Sequence, residues 1–268
     1  MQAAIDKDGG AQFVVPPTFT SVGLNQELLE RCVAREGLVV FASPSNAISE
    51  RVMASVVRYA LEGDTFIKGN FTYIGDTAFD FSTVSSSHSI VMHRSAESLG
   101  DSYLDKNNSV MRRSSDLVVF NGSTCTDMVE NMVQAGLTGQ TAFGAVEASD
   151  IPEVFDAVCQ KYPVDERSLK IWDFIESTSM ILCQRTVQDM QGGTMVVWSH
   201  LALSKEVKLV LFDALNTTAG VDAVSDRVRG IVEEGQFGSS SFKSQGKHLL
   251  KQGLIDNGAF EELLRVGA

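Results

Sequence analysis

The chain has 268 residues, of which 44% are hydrophobic, and a net charge of −12 at pH 7. This acidic charge argues against nucleic-acid binding, which depends on a basic face. The four cysteines and four histidines are scattered without metal-ligand spacing, so we expect no structural zinc site and a reduced, cytoplasmic setting. No apolar run is long enough to span a membrane, and the first residues lack the pattern of a signal peptide.

Short apolar runs alternate with helical periods along the first three quarters of the chain. Strands are predicted at residues 12–15, 37–41, 72–74, 89–92, 117–120, 141–146 and 194–203. Helices are predicted at residues 24–35, 48–61, 126–134, 151–162 and 166–185. This alternation predicts an α/β fold with a mainly parallel sheet.

The last quarter of the chain shows helical periods alone. Helices are predicted at residues 207–215, 221–234, 241–252 and 259–266, separated by glycine-containing turns. We therefore expect three parts, which are a lead-in with an edge strand at 1–22, an α/β core at 23–206 and a small helical subdomain at 207–268.

The connection between the strand at 37–41 and the helix at 48–61 lacks a feature that its position requires. In a nucleotide-binding strand–loop–helix unit, this connection has the pattern G-x-x-x-x-G-K-[ST]. Here the framing glycines are absent, and the chain has no lysine between Lys7 and Lys68. The segment predicts the strand–loop–helix geometry of a nucleotide hydrolase without the residues that bind phosphate.

The order of the pieces resembles the ATPase domain of the secretion ATPases. These are hexameric RecA-like motors of type IV pili, type II secretion and type IV secretion, and they include pilus retraction ATPases and the DotB/TraJ branch of type IVB systems. Residues 116–122 resemble the Walker B segment, and residues 137–148 resemble the His box. Residues 162–167, 184–185 and 192–193 resemble the segments that follow. The resemblance covers residues 13–264 and implies a RecA-like P-loop NTPase core with a small C-terminal helical subdomain.

On the register of that family, every diagnostic position of the phosphate loop is replaced except its proline. The replaced or retained positions are Ser43, Pro44, Ser45, Asn46, Ile48, Ser49 and Glu50. Ser49 stands at the phosphate-binding lysine, and Glu50 stands at the hydroxyl residue that ligates magnesium. Such glycines let backbone N–H groups surround phosphates, and such a lysine neutralises them. The resemblance therefore implies a site without nucleotide chemistry.

The other catalytic positions of the family are also changed. Gly122 stands at the glutamate that would activate water, and Gln140 and Glu147 stand at the two histidines of the His box. In the Asp box, Asp76 is retained and Asp80 corresponds to the later glutamate after a one-residue insertion.

Three charged residues match family positions, namely Arg94, Arg112 and Asp116. Arg94 lies 22 residues before Asp116 (116 − 94), as the corresponding family arginine does. Such a set is either a structural ion pair or a remnant of the catalytic machinery.

A local interpretation follows for the start of the helix. Ser49 is predicted as the N-cap, with Glu50 in the first turn, where a carboxylate is favourable with the helix dipole. The side chain of Glu50 would then fill the anion site from within. In the alternative interpretation, Glu50 faces solvent and Arg51 approaches a ligand.

The resemblance implies a catalytically inactive homologue, with no cofactor and no metal, at the cytoplasmic base of a type IV secretion, conjugation or pilus machine. It would lie peripherally at the inner face of the inner membrane. Its expected partners are active secretion ATPase subunits or an inner-membrane platform protein, in a homo- or hetero-oligomeric ring. Two alternatives remain open, which are a divergent ATPase that uses ATP and Mg, and a nucleotide sensor. About twenty residues precede the first predicted helix, so the separate N-terminal domain of the family is expected to be absent.

Overall fold

A seven-stranded sheet forms the centre of the molecule. A computed structural model describes residues 14–33, 36–63, 65, 67–75, 77–86, 89–94, 115–121 and 126–265. The strands are β1 (Gly37–Ser43), β2 (Gly69–Ile74), β3 (Ser89–Arg94), β4 (Leu117–Phe120), β5 (Thr141–Glu147), β6 (Thr178–Gln188) and β7 (Thr194–Ala202). Their order is β3-β2-β4-β5-β1-β6-β7, with β7 antiparallel to β6 and the remaining pairs parallel. The predicted mainly parallel sheet is confirmed.

The helices lie on both faces of this sheet. In chain order they are α1 (Gln26–Val33), α2 (Asn46–Glu62), α3 (Thr126–Leu137), α4 (Ile151–Cys159), α5 (Arg167–Ser177), α6 (Lys205–Leu215), α7 (Val221–Glu234), α8 (Phe242–Lys251) and α9 (Asn257–Leu264). Buried side chains of α1 and α2 form one hydrophobic cluster with the sheet, and those of α3, α4 and α5 form the other. None of the helices among these residues is long and apolar enough to cross a membrane.

Strand β1 lies at the centre because it is apolar on both faces. Leu38 and Val40 belong to the cluster on the α3–α5 side, while Val39 and Phe41 belong to the cluster under α1 and α2. A parallel sheet covered on both sides requires such a continuous apolar run, and this run was visible in the sequence.

The prediction of a single helix over residues 166–185 is wrong. Helix α5 ends at Ser177, and β6 begins at Thr178 and pairs with β1. Met180, Ile181 and Leu182 are buried, as expected for core residues. An apolar run of this length is compatible with either a buried helix or a central strand, and only the pairing with β1 decides between them.

The C-terminal helices extend the core on the α3–α5 side of the sheet. Leu211 of α6 and Val228 of α7 are fully buried in the same cluster as Phe155 of α4. The division of the chain at residue 206 remains a prediction.

The carboxyl ends of β1 and β5 lie at a topological switch point. From β1, the chain passes through α2 to β2 on one side, whereas from β5 it passes through α4 and α5 to β6 on the other side. In open α/β sheets, ligands bind in the crevice outside the carboxyl ends of such strands. This edge of the sheet is therefore the place to search for a functional site.

Candidate functional site at the carboxyl edge of the sheet

Only two residues connect β1 to α2. The strand ends at Ser43 and the helix begins at Asn46, with Ser45 as its N-cap residue in an extended conformation (φ −145°, ψ 132°). The backbone N–H groups of Ile48 and Ser49 both donate to the carbonyl oxygen of Ser45, at 3.0 and 3.3 Å. A phosphate cradle needs N–H groups turned inward from an open loop, and here these two are used inside the helix.

The predicted N-cap at Ser49 is wrong. The helix begins at Asn46, three residues before Ser49. Ser49 therefore lies about one turn inside the helix, and it is 1% exposed. The side chain of the actual N-cap residue, Ser45, makes no capping hydrogen bond. The first turn contains exposed and half-buried side chains, and the apolar periodicity used for the prediction starts only after it.

Two buried hydroxyl groups occupy the space beside the first turn of α2. The hydroxyl of Ser43 donates to the carbonyl oxygen of Ser45 at 2.7 Å, and its oxygen lies 2.8 Å from that of Ser49. A hydroxyl carries one hydrogen, so Ser49 is the donor in the second contact. Ser49, which was aligned with the phosphate-binding lysine, is thus part of a closed chain of hydrogen bonds within the protein.

Glu50 is directed away from the N-terminus of α2. Its carboxylate accepts a hydrogen bond from the backbone N–H of Ala78 at 3.2 Å. Burial raises the pKa of the nearby Tyr73 phenol, and the negative charge of Glu50 raises it further. The carboxylate therefore lies beside the end of β2 and the segment that follows. Neither earlier interpretation holds, because Glu50 is half-buried against this segment rather than capping its own helix or facing solvent.

A cavity of about 410 Å³ lies next to the start of α2. Glu147, at the end of β5, lines it and pairs in register with Ser43 of β1. Asn46 and Lys161 line it as well, together with apolar side chains of α3 and α4. The side-chain oxygen of Asn46 is buried and has no hydrogen-bond partner among the residues that the structure describes. Sequence reasoning missed Lys161, which follows α4 and carries no local motif.

Two of the predicted positions lie at the opposite edge of the sheet. Asp116 precedes β4, and its carboxylate accepts from the backbone N–H of Asn70 at 2.8 Å. Gln140 precedes β5, and its carbonyl oxygen accepts from the N–H of Gly37 at 3.1 Å. At a rise of about 3.3 Å per residue, the four-residue strand β4 separates Asp116 from the carboxyl edge by roughly 13 Å. The structure does not bring these residues together with residues 43–50.

The contacts of Asp116 are those of a structural carboxylate. Asp116 and Asn70 also form a backbone hydrogen bond of 2.8 Å, from the N–H of Asp116 to the carbonyl oxygen of Asn70. A β-carbon added at Gly69 would lie 2.2 Å from the carboxylate of Asp116. This close packing ties the start of β4 to the start of β2.

Asp80 lies in the segment that Glu50 contacts, but its carboxylate serves a local turn. It accepts from the N–H of Ser82 at 2.9 Å, and this hydrogen bonding lowers the pKa of Asp80. Its own N–H donates to the carbonyl oxygen of Val14 at 3.0 Å.

Four predicted positions lie wholly or partly outside the described residues. These are Asp76, Gly122, Arg112 and the side chain of Arg94. The backbone of Arg94 ends β3 and pairs with Ile74, at the same carboxyl edge as the α2 N-terminus.

The cysteines that the structure describes belong to the core. Cys32, Cys159 and Cys183 are buried free thiols, and burial raises the pKa of each. Buried thiols with a raised pKa are expected to be unreactive. Among the described residues, no group of three or more histidine, cysteine, aspartate or glutamate side chains could hold a metal ion.

The sheet order and the β1–α2 unit at its switch point are those of a RecA-like α/β fold. In detail, this fold is similar to that of the ATPase DotB from Yersinia pseudotuberculosis, with a TM-score of 0.83 and 22% identity over 93% of this chain. DotB from Legionella pneumophila has a TM-score of 0.81 and 16% identity, and the pilus retraction motor PilT with bound ADP has 0.74 and 18%. The sequence-based resemblance is thereby confirmed for the fold.

The similarity covers a part of each of these proteins. The chain spans 63% of the Yersinia DotB chain, 67% of the Legionella DotB chain and 68% of the PilT chain. The Legionella DotB structure covers 95% of this chain, and the PilT structure covers 93%. Neither a protein-family model nor a curated protein sequence matches the chain.

Proposed function

We propose that this chain is a secretion-ATPase homologue that does not hydrolyse ATP. It acts as a structural or regulatory subunit at the cytoplasmic base of a type IV secretion, conjugation or pilus machine. Its fold, which is similar to those of DotB and PilT, supports the machinery context. The geometry at the start of α2 supports the loss of catalysis.

The observation that carries this proposal is the two-residue connection between β1 and α2. Because α2 begins at Asn46, the backbone groups that would surround a phosphate are helical. Ser49, at the lysine position, is buried and bonded to Ser43, so no cation reaches the switch point from this turn. Phosphoryl transfer relies on positioning and charge neutralisation, and this turn supplies neither.

These residues do not fit a magnesium–nucleotide group held in the manner of a P-loop. Glu50 stands where the family has a hydroxyl ligand for the metal, and its carboxylate is engaged by the N–H of Ala78. A carboxylate in this place also repels phosphate. We therefore assign no step of hydrolysis to this chain.

The proposed partners are active secretion ATPase subunits or an inner-membrane platform protein, joined in a homo- or hetero-oligomeric ring. RecA-like domains associate edge to edge, so a surface that forms the ring can be retained when the catalytic residues are lost. The expected location is the inner face of the inner membrane.

The test is calorimetric titration of the protein with Mg-ATP and Mg-ADP, beside a competent secretion ATPase as positive control. We expect no saturable heat and no change in the thermal unfolding midpoint at about millimolar nucleotide. Saturable binding together with ATP turnover would overturn the proposal and establish the divergent ATPase.

A nucleotide sensor is the second candidate, and the cavity of about 410 Å³ at the switch point favours it. Lys161 is the basic residue among those that line this cavity. Binding without turnover that Lys161→Ala weakens, and that Lys205→Ala on the exposed surface does not, would establish the sensor. Binding that both variants retain would place the nucleotide elsewhere.

A further inference from the structure

Helices α5 and α6 present an apolar surface to solvent. Leu169 and Trp172 of α5 are 64% and 40% exposed, and Leu209 of α6 is 55% exposed. The indole ring of Trp172 stacks on the phenyl ring of Phe212 of α6, with centroids 3.9 Å apart and planes 18° from parallel. We define the four residues Leu169, Trp172, Leu209 and Phe212 as the α5–α6 face. Contiguous apolar surface of this kind marks sites of interaction.

The four side chains form two short rows along the helices. Leu169 and Trp172 are three residues apart on α5, and Leu209 and Phe212 are three residues apart on α6. Residues at this spacing lie on one face of a helix. The aromatic stack joins the two rows, so the face is one continuous surface.

The two helices are held together independently of any partner. The amine of Lys208 on α6 donates to the carbonyl oxygen of Glu176 on α5. Burial lowers the pKa of Lys208, in agreement with its position between the helices. A surface that is already ordered binds a partner at a low entropic cost.

Acidic side chains surround this face. They lie within one helical turn of its apolar residues, at Asp165, Glu166, Asp173, Glu176, Glu206 and Asp213. Two basic residues, Lys205 and Lys208, lie near these six carboxylates, and the amine of Lys208 donates to the backbone carbonyl oxygen of Glu176.

Of the two cations of α5, Lys170 has a carboxylate partner and Arg167 bonds to a neutral carbonyl group. Arg167 donates to the carbonyl oxygen of Tyr162, and Lys170 pairs with Glu130 at 2.6 Å. The six carboxylates therefore outnumber the three cations Arg167, Lys205 and Lys208, and the surroundings of the face are negative on balance.

We propose that the α5–α6 face is a docking surface for a basic amphipathic segment of a partner protein. The apolar side of the segment covers Leu169, Leu209 and the Trp172–Phe212 stack, while its lysine and arginine side chains meet the surrounding carboxylates. Trp is enriched among the residues that carry interface energy, and complementary charge adds specificity and association rate.

The same charges disfavour two other occupants. A second copy of this chain related by a two-fold axis would set acidic side chains against acidic side chains. An anionic lipid surface attracts basic segments and would be repelled here.

The test uses a synthetic amphipathic peptide of about 18 residues with leucine on one helical face and lysine on the other. A peptide with glutamate in place of lysine is the control. The protein has two tryptophans, and Trp198 is 8% exposed with its indole N–H bonded to the carbonyl oxygen of Gly23. A change in tryptophan emission on binding therefore reports Trp172, and Trp172→Phe should abolish that signal while calorimetry still detects binding.

We expect saturable binding of the lysine peptide that weakens as NaCl rises from about 50 to about 500 mM. Leu209→Lys and Asp213→Lys should each weaken it by about tenfold or more. The matched exposed variants Leu254→Lys and Asp226→Lys should leave it unchanged.

Three results would overturn the proposal. The first is equal binding by the Leu209→Lys and Leu254→Lys proteins, or by the glutamate peptide. The second is self-association in sedimentation equilibrium that Leu209→Lys abolishes, which would assign the face to a second copy. The third is binding to vesicles of anionic lipid without binding of the peptide.

Discussion

The hydroxyl oxygens of Ser43 and Ser49 lie 2.8 Å apart, between the end of the central strand and the first turn of the helix that follows it. Both residues are buried, at 0% and 1% exposure. In a P-loop nucleotide site, a lysine at this strand–helix junction reaches the phosphates. In this chain, the junction is closed by its own hydrogen bonds.

A lysine placed at this P-loop position should therefore destabilise the protein rather than create a phosphate site. Ser49→Lys would bury an ammonium group beside the hydroxyl of Ser43 and the carbonyl oxygen of Ser45, neither of which neutralises its charge, and burying an unpaired charge is costly. We expect the free energy of unfolding to fall by roughly 3 kcal/mol, measured by urea denaturation. Ala47→Lys, on an exposed position of the same turn, is the control and should change it little. Unchanged stability with new nucleotide binding would contradict the closed junction.

The hydrogen bond from the N–H of Ala78 to Glu50 should control the opening of the segment after β2. Glu50→Ala removes a charged acceptor, so local opening should become easier by about 1.5 kcal/mol. Amide hydrogen exchange at Ala78 should accelerate by about tenfold. Arg51→Ala changes the exposed neighbouring side chain and should leave this exchange rate alone. An equal effect of the two variants would show that Glu50 does not hold the segment.

Asp116 should behave as a structural residue. Its carboxylate accepts the N–H of Asn70 at the amino edge of the sheet. Asp116→Ala should lower the free energy of unfolding by about 1 kcal/mol, while Asp116→Asn, which keeps an acceptor oxygen, should cost less. Nucleotide titrations of both variants should match those of the unchanged protein. A selective loss of nucleotide binding in Asp116→Ala would instead connect this residue to the carboxyl edge.

Stability should fall in mildly acidic solution because of His200. Burial lowers the pKa of His200, whose ring lies between the hydroxyl of Ser240 and the carbonyl oxygen of Gly238 at 2.8 and 3.1 Å. The folded protein then binds this proton less readily than the unfolded chain does. The contribution of the neutral ring is complete above the unfolded pKa of about 6.5 and is lost as the pH falls through the lower folded pKa.

His200→Gln should remove this part of the pH dependence. The comparison is urea unfolding at about pH 7.5 and about pH 5.5, on either side of the unfolded pKa. His248→Gln, at an exposed position on α8, should keep the slope of the unchanged protein. If the His200→Gln slope equals that of the His248→Gln control, His200 is not its source.

Much of the fold could be predicted from local pattern. The apolar run of β1 and the strand at Leu117–Phe120 were visible because a covered parallel sheet requires side chains that are apolar on both faces. The alternation of strands and helices was sufficient for the fold class. Residues 178–188 could not be assigned in this way, since a short apolar run suits a helix as well as a strand until a neighbouring strand pairs with it.

The sequence by itself determined which chemical groups exist at each position of the site, and no tertiary contact can supply a lysine at Ser49 or a glycine at Asn46. The tertiary structure decided where those groups lie. Glu50 meets Ala78, 28 residues away, because α2 starts at Asn46 and turns the carboxylate toward the end of β2. Because Asp116 precedes β4, which is parallel to its neighbouring strands, it lies at the edge of the sheet opposite the N-terminus of α2. Neither the contact between Glu50 and Ala78 nor the location of Asp116 follows from spacing along the chain, since both depend on how distant segments are brought together in the folded sheet.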